Sequence, residues 1–178
     1  MDCFRRIRDI LDNLDRDQPS VQSLLKLEAE SVNALAELPE ECSSALVKEA
    51  REYLIVDPAR KDAEFNFQVL LQAIADRDEP EAVSITLDAL FSSTAVDKES
   101  YVSMFLSIDP PDAEASLAAH LESLHIDSET EVANLQQALI ALRSASGQRF
   151  ASVVRKQVDH PSPAVRAAVE DFLYGSTE

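Results

Sequence analysis

Apolar side chains recur along this chain with the period of a helix. Phe67, Leu70, Leu71 and Ile74 fall at i, i+3, i+4, i+7, and Val132, Leu135, Leu139 and Leu142 fall at i, i+3, i+7, i+10. Val83, Leu87, Leu90 and Phe91 line a third face, and Val165, Val169, Phe172 and Leu173 a fourth. Such spacing puts the residues on one side of a helix, where they can be buried together. Prolines stand between the periodic stretches, at Pro19, Pro39, Pro58, Pro80, Pro110, Pro111, Pro161 and Pro163. Proline suits the first turn of a helix and breaks its interior, so each marks a boundary. Start signals agree. Ser128-Glu129-Thr130-Glu131 has the form of a capping box, and Ser162-Pro163 places an N-cap before a first-turn proline. Together these signals predict ten helices, over 2–14, 19–37, 40–55, 61–75, 80–92, 98–107, 111–124, 129–145, 148–158 and 163–174.

The turns between helices repeat. Asp15-Arg16-Asp17-Gln18-Pro19 recurs 61 residues later as Asp76-Arg77-Asp78-Glu79-Pro80. Asp109-Pro110-Pro111-Asp112 and Asp159-His160-Pro161-Ser162-Pro163 occupy the same place between two helices. An Asp there can accept hydrogen bonds from the orphan amides of the next helix and suits its dipole. Asp15, Asp76, Asp109 and Asp159 are therefore read as turn and capping residues. Four such helix pairs in a short chain predict stacked antiparallel hairpins, each burying its apolar face on its neighbours.

The run Val158-Asp159-His160-Pro161-Ser162-Pro163-Ala164-Val165-Arg166-Ala167-Ala168 resembles a HEAT repeat, in which an Asp-Pro turn is followed by Val-Arg and small residues. The resemblance spans 149–174, is thinner over 65–92 and 98–124, and keeps only the turn over 3–37. It implies an irregular all-α solenoid that binds other macromolecules, with Arg166 paired to a turn aspartate, Asp159. A length of 178 residues fits one domain, 1–178, with room for a core.

Composition narrows the chemistry. Only two glycines occur, Gly147 and Gly175, so neither glycine-rich phosphate loop is present and tight β-hairpins are disfavoured. Lys plus Arg number 16 against 33 Asp plus Glu, a net charge of −17. That balance argues against nucleic acid and against an anionic membrane surface as partners. No apolar run is long enough for a membrane span, and Met1-Asp2-Cys3-Phe4-Arg5-Arg6-Ile7-Arg8 lacks a secretory apolar core, so a cytoplasmic location is expected. Cys3 and Cys42, without CxxC spacing, are expected as free thiols.

Candidate catalytic and metal sites give way to simpler readings. His120 and His125 stand at i, i+5, roughly 140° apart around a helix, whereas chelating pairs share a face at i, i+4. The His-Glu dipeptides of HEAT-like metal hydroxylases do not occur. HEAT-like DNA glycosylases need a basic groove with aromatic platforms, and this chain is acidic with no Trp. Ser162 beside His160 reads as capping rather than as a nucleophile, and neither Cys has a neighbouring His. Carboxylate pairs such as Glu40-Glu41 and Asp112 with Glu114 suit helix first turns. No catalytic residue, cofactor or metal is expected.

Charge position is more informative. Residues 61–140 carry 3 basic and 16 acidic groups, against 8 and 13 in 1–60 and 5 and 4 in 141–178. If the proline-opened helices line the inner side of a solenoid, Asp88, Glu114, Glu122 and Glu170 project from them off the core. The expected function is a non-enzymatic scaffold that offers this acidic groove to a basic protein or peptide. A narrower alternative is an inhibitor or immunity protein that masks the basic active site of a toxin such as a nuclease. A HEAT-like lyase or other small-molecule enzyme is the alternative from another class, and a structural subunit with exposed apolar ends is a further one.

Overall fold

The computed structural model describes residues 2–14, 20–55, 63–91, 98–108 and 111–175, and among them all regular structure is helical. The chain forms two compact units, Met1–Ile85 and Thr86–Glu178.

The first unit contains α1 (Cys3–Asp12), α2 (Val21–Ala36), a 3-10 turn (Glu40–Cys42), α3 (Ser43–Ile55), α4 (Ala63–Asp76) and the start of α5 (Ala82–Phe91). The side chains of Asp2 and Ser20 cap α1 and α2 by accepting from the amides of Arg5 and Ser23, each at 3.2 Å. α4 packs on α2 and α3, while α1 lies on α2, α3 and the 3-10 turn. Ile7, Leu35, Leu46, Leu70, Leu71 and Ile74 are buried in this unit.

The second unit holds the rest of α5, then α6 (Lys98–Ile108), α7 (Ala113–Ser123), α8 (Glu129–Ser146), α9 (Ala151–Val154), a 3-10 turn (Arg155–Gln157) and α10 (Pro163–Tyr174). α8 is its centre, packing on α6 and α10, and α7 packs on α9. Phe105 and Phe150 meet in its core with ring centroids 5.9 Å apart. The expected capping box is present: Ser128 Oγ accepts from the Glu131 amide at 3.2 Å, and Glu131 Oε2 accepts from the Ser128 amide at 2.8 Å. Donation to the Glu131 carboxylate from the Asp127 amide, and then from the Ser128 hydroxyl and amide, holds it below its ordinary pKa. Ser162 caps α10 with Pro163 in its first turn. The helix expected over 148–158 resolves into two short turns, α9 and the 3-10 segment.

The two cysteines are not free thiols. Cys3 and Cys42, 39 positions apart in sequence, form a disulfide with Cα atoms 5.4 Å apart. Docking of α1 on the 3-10 turn brings them together. Local spacing carries no trace of such a long-range contact.

The turns depart from their expected form. Asp76 does not cap the next helix; its Oδ1 accepts from Gln72 Nε2, one turn earlier in α4, at 2.7 Å. The special residue is Asp78, at φ 55°. Its amide donates to the Ala75 carbonyl at 2.9 Å and the Glu79 amide to the Ile74 carbonyl at 3.2 Å, the Schellman pattern with Asp where Gly usually stands. Asp159 is exposed, and Arg166 does not pair with it. Its guanidinium instead donates to the carbonyls of His160 and Pro161, at 2.7 and 2.9 Å. Arg reaches a turn's carbonyl oxygens with several donors at once, which one carboxylate does not outcompete here. Asp15 and Asp109 lie outside the described residues.

Cations also finish helix ends. Arg77 donates to the carbonyl of Ala36, the last residue of α2, and to that of Leu38 just beyond it, at 2.9 and 2.6 Å. Lys98 Nζ donates to the Leu90 carbonyl at the end of α5, at 2.7 Å. Arg143 donates to the carbonyls of Asp171, Phe172 and Gly175 at the end of α10. The last four carbonyls of a helix have no partner within it, and a cation there also meets the negative end of the dipole. Both glycines take the same positions, Gly147 after α8 at φ 59° and Gly175 after α10. A Cβ on Gly175 would collide with the carbonyl oxygen of Asp171.

Candidate functional site

All four acidic residues expected to meet a partner lie in the second unit. Glu114 is exposed in the first turn of α7, where its carboxylate suits the helix dipole. Its Oε2 accepts from Ser152 Oγ on α9 at 3.3 Å. Glu122 and Glu170 are exposed on α7 and α10. Asp88 behaves differently. It is half-buried on α5, with Oδ1 3.8 Å from Nδ1 of His120 on α7.

His120, weighed in the sequence only as half of a metal-binding pair, is a part-buried polar group. Its ring packs on Phe91, with centroids 5.1 Å apart. Its Nε2 is buried without a hydrogen-bond partner among the described residues. Burial pushes the His120 pKa down, and the nearby Asp88 carboxylate opposes the shift only in part. The imidazole is therefore neutral at pH 7, and its contact with Asp88 is not an ion pair there. One sequence signal pointed this way: Asp88, Phe91 and His120 sit on faces that also carry buried residues (Leu87, Leu117 and Leu121).

Two further surfaces complete the site. An open depression of about 320 Å3 lies where α8 and α10 begin, lined by Ile126, Val132, Gln136 and Ala164, with Asp127 and Glu129 at its edge. A smaller cavity, about 10 Å3 between Leu121, Leu139, Val165 and Val169, has room for no more than one water. His120 lines neither. Beside them, the Ser162 amide donates to Nδ1 of His160 at 3.1 Å while the Ser162 hydroxyl accepts from the Val165 amide at 3.5 Å, so both residues serve the turn. His125 lies beyond the end of α7. No group of three or more His, Cys, Asp or Glu among the described residues could hold a metal ion.

Local charge sets the character of the surface. Lys98 is the one Lys or Arg between positions 86 and 140. It is buried, with its ammonium on the Leu90 carbonyl. The exposed cations of the unit gather instead at Arg149, Arg155 and Lys156. Around Glu114, Glu122, Asp127 and Glu129, the negative potential is therefore not diluted by exposed lysine or arginine from the same stretch. Among the terminal apolar residues whose exposure would mark a structural subunit, Ile7, Leu11 and Phe172 are buried, Phe4 is half-buried and Tyr174 is exposed.

No family model, no curated protein and no solved structure matches the chain. Among the described residues no helix is long and apolar enough to cross a membrane.

Proposed function

We propose that the chain is a non-enzymatic, HEAT-like solenoid of the cytoplasm that binds a basic protein or peptide on the acidic surface of its second unit. The observation that carries this reading is the inward turn of Lys98, which leaves Glu114, Glu122, Asp127 and Glu129 exposed on a stretch with no other Lys or Arg. Packing between helices two apart in sequence, α2 with α4, α6 with α8 and α8 with α10, supports a repeat-like arrangement. Of the four acidic residues expected in the groove, Glu114, Glu122 and Glu170 are the exposed contributors, with Asp88 turned partly toward His120.

Binding of a labelled arginine-rich peptide tests the reading. Affinity is expected to fall by about tenfold or more between low and physiological salt, and to fall again in the Glu114→Lys/Glu122→Lys chain. Indifference to salt overturns it. The inhibitor form of the same reading requires one-to-one loss of activity when a basic nuclease is mixed with the chain.

A further inference from the structure

Three arginines of this acidic chain stand together on a helix that is folded onto the chain itself. α1 places Arg5, Arg6 and Arg8 within four positions, all exposed, and buries Ile7 and Leu11 on its other side. It lies on α2, α3 and the 3-10 turn. On α3 it meets acid: Arg8 Nε is 3.1 Å from Glu49 Oε1, its Nη2 is 3.3 Å from Glu49 Oε2, and Nη2 also lies 3.6 Å from Glu52 Oε2. Lys48 Nζ stands 5.2 Å from the centre of the Phe4 ring. Glu49 is 4% exposed, so it depends on a cation laid over it from outside α3.

A helix of ten residues does not persist alone in water. α1 is therefore ordered by the face it covers, and Cys3–Cys42 fastens its first turn there. Cys3 is partly exposed, whereas Cys42 is fully buried. We propose that the face of α2 and α3 beneath α1 is a seat for an arginine-bearing amphipathic helix, that α1 is its internal occupant, and that Cys3–Cys42 locks α1 in place until a dithiol reductant opens it. The partner helix carries the pattern by which α1 fits: an apolar residue, then Arg, then an apolar residue three positions on, as in Ile7, Arg8 and Leu11. This seat lies in the first unit and does not depend on the acidic surface of the second.

Opening is a two-electron exchange. A thiolate of the dithiol attacks Sγ of Cys3, the more exposed residue of the pair, and Cys42 leaves as a thiolate that takes up a proton. The second thiol of the reductant then displaces Cys3, giving two protein thiols and the oxidised, cyclic reductant. In a reducing cytoplasm such a bond is transient and reports redox state rather than serving as a permanent staple.

Two measurements on the full chain test the proposal. The first uses hydrogen exchange before and after reduction. In the reduced chain, α1 amides are expected to exchange near the rate of unstructured peptide, while α4 amides stay at least about tenfold slower. Protection of α1 that survives reduction, or loss of α4 protection together with α1, overturns the latch. The second uses the Cys3→Ser chain, in which Cys42 is the remaining thiol, and a synthetic peptide of residues 2–14 whose Cys3 is activated as a pyridyl disulfide. Cys42 is expected to displace pyridine-2-thione and capture this peptide about tenfold faster than its Arg8→Glu counterpart. Equal rates, or no capture, overturn the seat.

Discussion

The two units solve the same problem with different bonds. In Met1–Ile85 a ten-residue helix is fastened by a disulfide, a bidentate ion pair and a cation over a ring, and Arg77 ties the α4–α5 turn to the end of α2. In Thr86–Glu178 the eighteen-residue α8 buries Leu135, Leu139 and Leu142 between α6 and α10, and its polar bonds mostly finish helix ends. A short helix offers few apolar side chains against the entropy of ordering it, so specific cross-links supply what burial does not. A long central helix buries enough to need few of them. Stability in the first unit is therefore concentrated in individual bonds, and in the second it is spread over a packed surface.

Removing one cross-link should show the contrast most strongly. Cys42→Ala is expected to lower the stability of the first unit by about 3 kcal/mol without reductant. Urea unfolding checks this, and dithiothreitol should bring the parent chain to the level of the variant. Arg77→Ala comes next. Arg77 is only 10% exposed in its side chain and also donates to Ser43 Oγ at 2.8 Å and Glu79 Oε1 at 3.1 Å. Its loss is expected to cost about 2 kcal/mol, because carbonyls and a part-buried carboxylate lose their donor. Arg77→Lys should recover part of this, since one ammonium cannot span the same acceptors.

In the second unit the sensitive group is His120, and the effect follows pH. Its folded pKa lies below the unfolded value, so the unfolded chain binds the proton more readily. The stability it contributes is complete above the unfolded pKa, near 6.5, and is lost as pH falls toward the folded value. The slope it adds is at most about 1.4 kcal/mol per pH unit. His120→Gln should flatten that part of the profile below pH 6.5, as read by thermal melts. The smallest effect has the opposite sign. Asp78→Gly is expected to stabilise the first unit by up to about 1 kcal/mol, because Asp78 holds a positive φ that glycine adopts without steric cost.

What was legible in the sequence was local. Among the described residues the long helices, the caps at Ser128 and Ser162 and the buried stripes through Leu70, Leu139 and Val169 follow from period and neighbour chemistry. Cys3–Cys42, Arg8–Glu49 and the reach of Arg77 to Ala36 join residues about forty positions apart, where periodicity says nothing. Arg166 shows the same limit at short range: the residue was legible, but its choice of carbonyls over Asp159 is a matter of turn geometry. The acidic positions on α7 and α10 could be placed on helices, whereas Asp88 was drawn toward a histidine whose burial only the packing revealed.

The cations that finish helix ends carry a consequence for proteolysis. Between positions 62 and 142 the chain offers trypsin only Arg77 and Lys98. Both side chains are turned inward onto backbone oxygens, where a protease's specificity pocket cannot engage them. The folded chain should thus keep this tract intact while the exposed Arg149, Arg155 and Lys156 are cut first. Cleavage at Lys98 then becomes a clock for local opening around the end of α5, because the bond can be cut only after the ammonium leaves the Leu90 carbonyl.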